Sequence, residues 1–284
     1  MKTPTKMMWV ALLFGVVGCN LASQVSAKTV AISTLLSTPP VKLEAEALAG
    51  QGLDGGGVVF DGGVSLPRAD LVHVYFGRRQ SDSLDVPPVG VAGATVTLRE
   101  ANGASWPLAD QGSGNYGLLP DAGFAYHDLA TYDFTMTLSG TAYVAEVAQV
   151  PGREDISAFH PAAGYVVLDA GQPFEFTRPD PPAGQERPLG FINVFPISLD
   201  GARGQPTYTN VPSTPLEFLK LVVTQSDWTK TAVRIPDTAF PGRDRNYLVI
   251  LQAAKLGGPK SDNLFTGSVV LAGTADVAVV KTRP

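Results

Sequence analysis

The chain has 284 residues, 44% hydrophobic and 17% charged, with 30 glycines and 23 prolines, a composition that excludes a wholly disordered or collagen-like chain and favours a turn-rich β protein. The formal net charge is −5 without any block of Lys and Arg, which argues against nucleic-acid binding because phosphate contacts need clustered cations. The single cysteine excludes an internal disulfide framework.

The first eighteen residues have the features of a targeting segment. Lys2 and Lys6 give it a positive start, and an uninterrupted apolar run extends from Met7 to Gly18. This run is shorter than the roughly 20 residues that a membrane-spanning helix needs, but it suits the apolar region of a secretory signal. We therefore predict a signal peptide over residues 1–18.

The end of this run resembles the lipobox that signal peptidase II recognises in bacterial lipoproteins. Val16, Val17, Gly18 and Cys19 place an aliphatic residue three positions before the cysteine and a small residue directly before it. The resemblance implies that Cys19 is acylated, with palmitate-type chains, and becomes the N-terminal residue of a lipoprotein. More than one acyl chain holds a protein stably on a membrane. The residue after the cysteine is Asn20 and not Asp. By resemblance to the enterobacterial sorting rule, this implies delivery to the outer membrane.

An ordinary signal peptide is the alternative to a lipoprotein leader. Cleavage would then fall at one of the later small-residue stretches, Ala22-Ser23 or Val25-Ser26-Ala27, and the cysteine would be incidental. The position of the chain's single cysteine, directly after an apolar run of suitable length, favours lipidation.

Residues 19–65 show little hydrophobic periodicity. They are punctuated by Pro39, Pro40 and the glycine run 55–57. Such a composition is typical of a flexible connection. We predict a tether that links the lipid to the folded part of the protein, and the stretch 41–47 could add an edge strand.

Residues 66–152 consist of short alternating runs that predict a β-sandwich. In the run 132–138, Tyr132, Phe134 and Met136 recur with the period of two that is typical of a strand. Asn102-Gly103 predicts a hairpin turn. Turn signals separate the predicted strands at intervals of about 8–12 residues. These strands lie at 71–76, 91–98, 105–108, 115–118, 132–138 and 143–150.

The same region is similar to the carboxypeptidase-regulatory-like family. The similarity rests on the run 91–98, the pair Pro107-Leu108, the spacing Gly112-x-Gly114-x-Tyr116 and the tyrosine-led strand that follows. It implies a transthyretin-like or immunoglobulin-like sandwich of the kind common in secreted bacterial proteins. Such domains are structural or adhesive modules without standard catalytic residues.

A boundary is predicted at 151–155, followed by a second sandwich over residues 156–284. One helix is expected there, because Thr214 suits an N-cap, Pro215 suits the first helical position and Glu217 completes a capping box. The predicted fold class is all-β, with two tandem immunoglobulin-like or transthyretin-like β-sandwiches and one short helix in the second. Strand patterns occur at 164–168, 173–177, 190–196, 231–235, 247–253, 267–271 and 277–281.

The three histidines do not predict a metal or catalytic site. His73 lies in an apolar strand, while His127 precedes Asp128 and His160 precedes a proline, so no pair has metal-ligand spacing. A triad of His127, Asp128 and a distant serine would make the protein a hydrolase, but no G-x-S-x-G motif is present. We expect neither catalytic residues nor a cofactor.

Two kinds of binding site are weighed against simpler explanations. Loop carboxylates could bind calcium, but none follows the EF-hand pattern, and solvated turn residues explain them better. Aromatic side chains could form a sugar-binding platform, although most are expected to fill the sandwich cores. The carboxylates are Asp54, Asp61, Asp70, Asp82 and Asp85, and the aromatic residues are Trp106, Tyr116, Tyr126, Trp228, Phe240 and Tyr247.

These patterns together predict a non-enzymatic protein of the bacterial cell envelope, anchored by lipid to the outer membrane. We expect it to act as a binding, adhesive or assembly module through loops and sheet edges, where β-sandwiches usually bind. The expected partners are the membrane, through the lipid, and other envelope proteins or surface glycans. A carbohydrate-binding surface lipoprotein is the alternative, and a hydrolase ranks behind it.

Overall fold

The computed structural model describes residues 23–43, 64–66, 68–81, 86–119, 122–169, 171–197, 205–212, 221 and 224–283. The predicted lipobox therefore lies outside the described residues, and so do several residues of the predicted helix and several carboxylates that were considered as calcium ligands. These are Val16, Val17, Gly18, Cys19, Asp54, Asp61, Asp82, Asp85, Thr214, Pro215 and Glu217.

Strands dominate the described structure, so the predicted all-β class is confirmed. Leu221 and Thr224 are helical, as predicted for this part of the second unit, and residues 23–26 form a helical turn. Two 3₁₀ turns lie at Ser157–Phe159 and Asp237–Ala239. The strands are β1 (Thr29–Thr38), β2 (Val41–Leu43), β3 (Val64–Leu66), β4 (Ala69–Arg78), β5 (Val89–Gly90), β6 (Thr95–Glu100), β7 (Ser105–Gly112), β8 (Asn115–Leu118), β9 (Tyr132–Leu138), β10 (Thr141–Val147), β11 (Val166–Leu168), β12 (Phe174–Thr177), β13 (Leu189–Pro196), β14 (Tyr208–Thr209), β15 (Ala232–Ile235), β16 (Asn246–Pro259) and β17 (Val269–Thr282).

The first unit is a closed circuit of paired strands around one apolar core. Hydrogen bonds lead from β17 through β1, β4, β8, β7, β6, β9 and β10 to β16, which pairs back with β17. Phe76, Val96, Phe134 and Met136 are buried in this core. The alternation predicted for 132–138 is confirmed, because its buried and half-buried residues alternate along β9.

The second unit is a two-layer sandwich with its own core. One layer contains β11, β17, β16, β13 and β14, and the other contains β12 and β15. Phe159, Phe174, Phe176 and Tyr247 are buried in the core between the layers. The rings of Phe159 and Phe176 meet edge to face, with 4.8 Å between their centroids. On the opposite face of β13 and β16, the helical Leu221 packs in a smaller cluster of buried residues.

A long hairpin of β16 and β17 belongs to both units. β17 pairs with β1 over 269–274 in the first unit and with β11 over 280–282 in the second. β16 pairs with β13 over 247–254 and reaches β10 at Gly258 and Pro259. The segment expected to form only the second sandwich therefore also contributes two strands to the first. The strands predicted at 267–271 and 277–281 form one continuous strand.

The segment predicted as a tether contains an internal strand, which corrects that expectation for residues 29–38. β1 pairs with β4 along its whole length and with β17 on its other side. Ala31 and Leu35 are fully buried in the first core. Ser33 and Ser37 are also buried, and their hydroxyl groups hid the apolar alternation in the sequence. β2 pairs with β3, so a short strand does begin at Val41.

Two glycines permit close backbone approach, one between the hairpin and β10 and one between the two strands of the hairpin itself. A Cβ atom on Gly257 would overlap the Glu146 carbonyl oxygen and lie 2.7 Å from the Cα of Val147 in β10. A Cβ atom on Gly273 would lie 2.8 Å from the Cα of Ala254. Glycine within a strand is typical of such close backbone approach.

We predict that Gly257→Ala separates β16 from β10 and lowers the free energy of unfolding by about 1–3 kcal/mol, the usual cost of overpacking. The matched control is Gly258→Ala, because a Cβ atom at Gly258 would meet its nearest neighbour, the Ser268 carbonyl oxygen, at 3.9 Å. Urea unfolding of the two variants checks this difference. Equal unfolding midpoints would contradict the close approach of β16 and β10.

Candidate functional site

A groove with a volume of about 790 Å³ lies where loops of the two units meet. One wall contains residues 128 and 129, from a loop of the first unit, and residues 149 and 151–155, from the segment that leads out of it. The other wall contains residues 179–182, 184–189 and 254–256, together with Gln225. A concave site between two units is a typical location for a ligand.

Three non-glycine residues with positive φ line this groove. They are Leu129 (φ 61°), Gln149 (φ 51°) and Gln225 (φ 39°). A bulky residue such as leucine is rarely found in the left-handed region. Backbone hydrogen bonds hold it there, because the Leu129 N–H donates to the Val150 carbonyl at 2.8 Å. Strained backbone that its surroundings hold in place is a common feature of ligand sites.

The groove is lined by five carboxylates and three cations, so the net charge of its lining is negative. The Arg187 guanidinium donates to the Pro179 carbonyl at 2.5 Å and to Asp180 at 3.0 Å. Among the described residues, Asp128 and Glu186 make no hydrogen bond or ion pair, and both are exposed. The groove therefore offers hydrogen-bond acceptors and negative charge to a ligand.

A buried ion pair supports the groove wall. Glu154, which lines the groove, accepts hydrogen bonds from Arg178 Nε at 2.7 Å and Nη2 at 2.6 Å. The same guanidinium donates to the carbonyl oxygens of Trp228 at 2.9 Å and Pro188 at 2.7 Å. Arg178 is 1% exposed and Glu154 8%. This bidentate ion pair holds the segments on both sides of the groove in a fixed relative position.

Asp276, at the centre of β17, binds the segment that follows the first unit through hydrogen bonds and thereby attaches it to this strand. Its side chain is 2% exposed. Its Oδ1 accepts a hydrogen bond from Arg153 Nη2 at 2.9 Å and lies 2.8 Å from His160 Nε2. Its Oδ2 accepts the Ile156 N–H at 2.9 Å. The buried carboxylate is thus hydrogen-bonded on both oxygens, as burial of a charge requires.

The same cluster contains three potential metal ligands but does not support a metal site. Oxygen or nitrogen atoms of Asp155, His160 and Asp276 all lie within 4.8 Å of one another. Arg153 Nη2 lies among them, 2.8 Å from His160 Nε2. The cation that neutralises Asp276 is therefore the protein's own guanidinium. Of the carboxylates considered as calcium ligands, Asp70 lies in the described part, and it pairs with Arg68 at 3.2 Å.

The structure does not assemble the triad of His127, Asp128 and a serine that was weighed against the non-enzymatic prediction. His127 Nδ1 lies 3.0 Å from both carboxylate oxygens of the buried Glu100, not beside Asp128. A Cβ atom on Gly152 would lie 2.8 Å from Asp128 Oδ2, so this carboxylate extends over the groove wall instead. His73 is half-buried in β4. His127 pairs with Glu100 and His160 with Asp276, and both carboxylates are distant from these histidines in sequence.

Two buried tyrosines hold the loop before the groove. Tyr126 donates its hydroxyl hydrogen to the Pro151 carbonyl at 2.7 Å. Burial raises the pKa of Tyr126 well above its ordinary value, and the nearby Asp128 carboxylate raises it further. Burial also raises the pKa of Tyr132, to about 12, and its hydroxyl oxygen accepts the His127 N–H at 2.9 Å. Both phenols therefore stay neutral at physiological pH.

The aromatic residues considered for a sugar platform mostly fill the cores, as expected. Trp106 is half-buried and meets Phe124 edge to face at 5.0 Å. Trp228 is half-buried and donates its indole N–H to the Asn210 carbonyl at 2.9 Å. The other four are buried: Tyr116, Tyr126, Phe240 and Tyr247.

Sequence reasoning missed the groove and both buried carboxylates beside it. One signal was available, because Asp276 interrupts an apolar run that extends from Val269 to Val280. A lone carboxylate in such a run either marks a break between two strands or is buried and hydrogen-bonded within one strand. The strands predicted at 267–271 and 277–281 correspond to such a break.

The described chain is an all-β protein whose two sandwich-type units share one hairpin. Within the described residues, none of the helices has the length and apolar character needed to span a bilayer. No family model matches the chain, and no curated protein matches it. Among solved structures it is similar to a chimeric titin Z1Z2-Z1Z2 tandem functionalized with a GRGDS peptide from fibronectin. The identity is 13%, with 75% of this chain and 90% of that chain covered, and the TM-score is 0.21.

We predict that Glu154→Gln lowers the free energy of unfolding by about 3–5 kcal/mol, because it leaves the Arg178 guanidinium charged and buried without its partner. The matched control is Glu175→Gln, since Glu175 pairs with Arg234 while both side chains are more than half exposed. Glu175→Gln should lower the free energy of unfolding by less than about 1 kcal/mol. Denaturant unfolding of both variants measures the difference. Similar losses would mean that the buried pair does not hold the groove wall.

Proposed function

We propose that this chain is a non-enzymatic, lipid-anchored protein of the bacterial cell envelope that binds an extended segment of another envelope protein in the groove between its units. The observation that carries the proposal is the groove itself, bordered by strained backbone at Leu129, Gln149 and Gln225. Anchoring rests on the resemblance of Val16–Cys19 to a lipobox. The sandwich type rests on the resemblance to carboxypeptidase-regulatory-like modules.

The lining of the groove suits a polypeptide with a positive or amide-rich sequence. Asp128 and Glu186 offer carboxylates, and Gln149, Gln185 and Gln225 offer side-chain amides. Pairing between a groove of net negative charge and cationic side chains supports orientation and specificity. Several prolines in the walls restrict the backbone there, so less conformational freedom is lost on binding.

Leu129 is an apolar anchor point at the edge of the groove. Its side chain is 48% exposed although the residue occupies a strained conformation. A backbone hydrogen bond to Val150 holds this conformation, and about half of the leucine side chain remains open to a partner. Contact with a partner side chain would remove the rest of this apolar surface from water, which favours association.

We predict that Cys19→Ala abolishes acylation and releases the protein from the membrane fraction. The physical reason is that each buried CH₂ group of the acyl chains contributes about 0.8 kcal/mol to membrane binding. The unacylated protein lacks this contribution. Fractionation of cells with metabolic labelling by a fatty-acid analogue measures both effects. Unchanged fractionation and unchanged labelling would exclude lipid anchoring at Cys19.

We predict that a photo-crosslinking residue in place of Leu129 captures a protein partner in intact envelopes. The same residue in place of Leu119 is the matched control, because Leu119 is 57% exposed and does not line the groove. Leu129→Asn should reduce binding of the captured partner without loss of stability, since asparagine tolerates a positive φ. Equal crosslinking at both positions would contradict a groove site. A glycan adduct would favour the carbohydrate-binding alternative.

A further inference from the structure

The chain between the proposed lipid and the fold is short. Residues 20–28 separate Cys19 from the first residue of β1. Residues 23–26 form a helical turn, which rises about 1.5 Å per residue. Full extension of the rest adds at most about 3.6 Å per residue, so Thr29 lies within about 30 Å of Cys19. The start of β1 must therefore lie near the bilayer if Cys19 carries lipid.

The end of the first unit where β1 starts exposes aliphatic side chains. Val25 before β1 is 53% exposed, Val86 is 40% exposed and Val89 in β5 is 50% exposed. Arg78 pairs with Thr29 on one side and with Val89 on the other, so the start of β1, the end of β4 and β5 are adjacent. Val25 and Val86 lie in the segments just before β1 and β5. Exposed aliphatic residues grouped at one end of a soluble unit are typical of an interaction surface.

Cations lie beside these aliphatic residues. Lys28 and Arg78 are exposed. Arg79 stacks on the Phe265 ring, with its guanidinium carbon 3.8 Å from the ring centroid. The acidic Asp262 is exposed on the adjoining turn and offsets part of this positive charge. Membrane contact therefore depends on the aliphatic residues as well as on the cations. A combination of basic and aliphatic side chains suits the headgroup region of an anionic bilayer.

The long hairpin sets the direction in which the rest of the protein extends. β1 and β17 are parallel, and Ile32 pairs with Val269, so both strands start at the same end. β17 has 14 residues, which at about 3.3 Å per residue make about 45 Å. β11, with Val167 exposed, pairs with the last residues of β17. The second unit therefore lies at the far end of the hairpin.

We propose that the end of the first unit formed by Val25, Lys28, Arg78, Val86 and Val89 rests on the bilayer, and that β17 directs the second unit away from it. This inference rests on the lipid anchor of the proposed function. It assigns the bilayer surface, not a protein, as the occupant of this end, because nine residues of chain hold the end close to the lipid. The protein then contacts the bilayer at two places, through the acyl chains and through this end of the first unit. The two contacts together restrict its orientation.

The test uses the full acylated protein, in which Cys19 is blocked and any added cysteine is the single free thiol. Val89→Cys and Val167→Cys are matched, because both are exposed valines in short strands at opposite ends of the hairpin. Each is labelled with an environment-sensitive fluorophore and reconstituted in vesicles of phosphatidylcholine and phosphatidylglycerol. Lipids with a nitroxide on the headgroup should quench the label at residue 89 several-fold more than the label at residue 167.

A charge variant and the anchor variant separate the outcomes. Arg78→Gln should weaken quenching at residue 89 on anionic vesicles but not on pure phosphatidylcholine, since one cation near an anionic surface changes binding by about fivefold. Equal quenching at residues 89 and 167 in membrane-bound protein would overturn this orientation and leave the anchor intact. A Cys19→Ala chain that co-sediments with vesicles as fully as the acylated protein would instead contradict the anchor.

Discussion

The structure depends on one carboxylate at the middle of its longest strands. On one face of β17, Val270 and Ala272 belong to the first core, while Ala278 and Val280 belong to the second. Asp276 lies between these cores, and burial of such a charge costs several kcal/mol unless its oxygens are hydrogen-bonded. Arg153, His160 and the Ile156 N–H supply those bonds from the segment that joins the units. Their attachment is therefore what allows one strand to serve two cores.

The strands that sequence patterns predicted best are those whose signal is local. β8 and β9 have the predicted bounds, because alternation and turn residues lie within a few positions of each other. The pattern failed at β1, where buried Ser33 and Ser37 dilute it, and at β17, which Asp276 interrupts. The burial of these polar residues depends on partners more than 100 positions away, which no local window can show.

The candidate site was almost entirely unpredictable from sequence for the same reason. Its walls come from segments around residues 128, 150, 180 and 255, and none of them carries a motif. The positive φ of Leu129 cannot be inferred from its type, since leucine avoids that region. The pairing of Glu154 with Arg178 is visible in sequence only as two ordinary charges. The lipobox, in contrast, is a local pattern, and it lies outside the described residues.

The shared hairpin has a consequence for how the groove would bind. Units joined by a flexible linker move relative to each other by default, and a ligand must then restrict that motion. Here β16 and β17 continue through both units, and the joining segment is fixed by Asp276 and by the Glu154–Arg178 pair. A hinge between the units would have to break strands, so the groove is formed before any ligand arrives. Binding then loses little conformational entropy, and affinity depends on the fit of the partner to fixed walls.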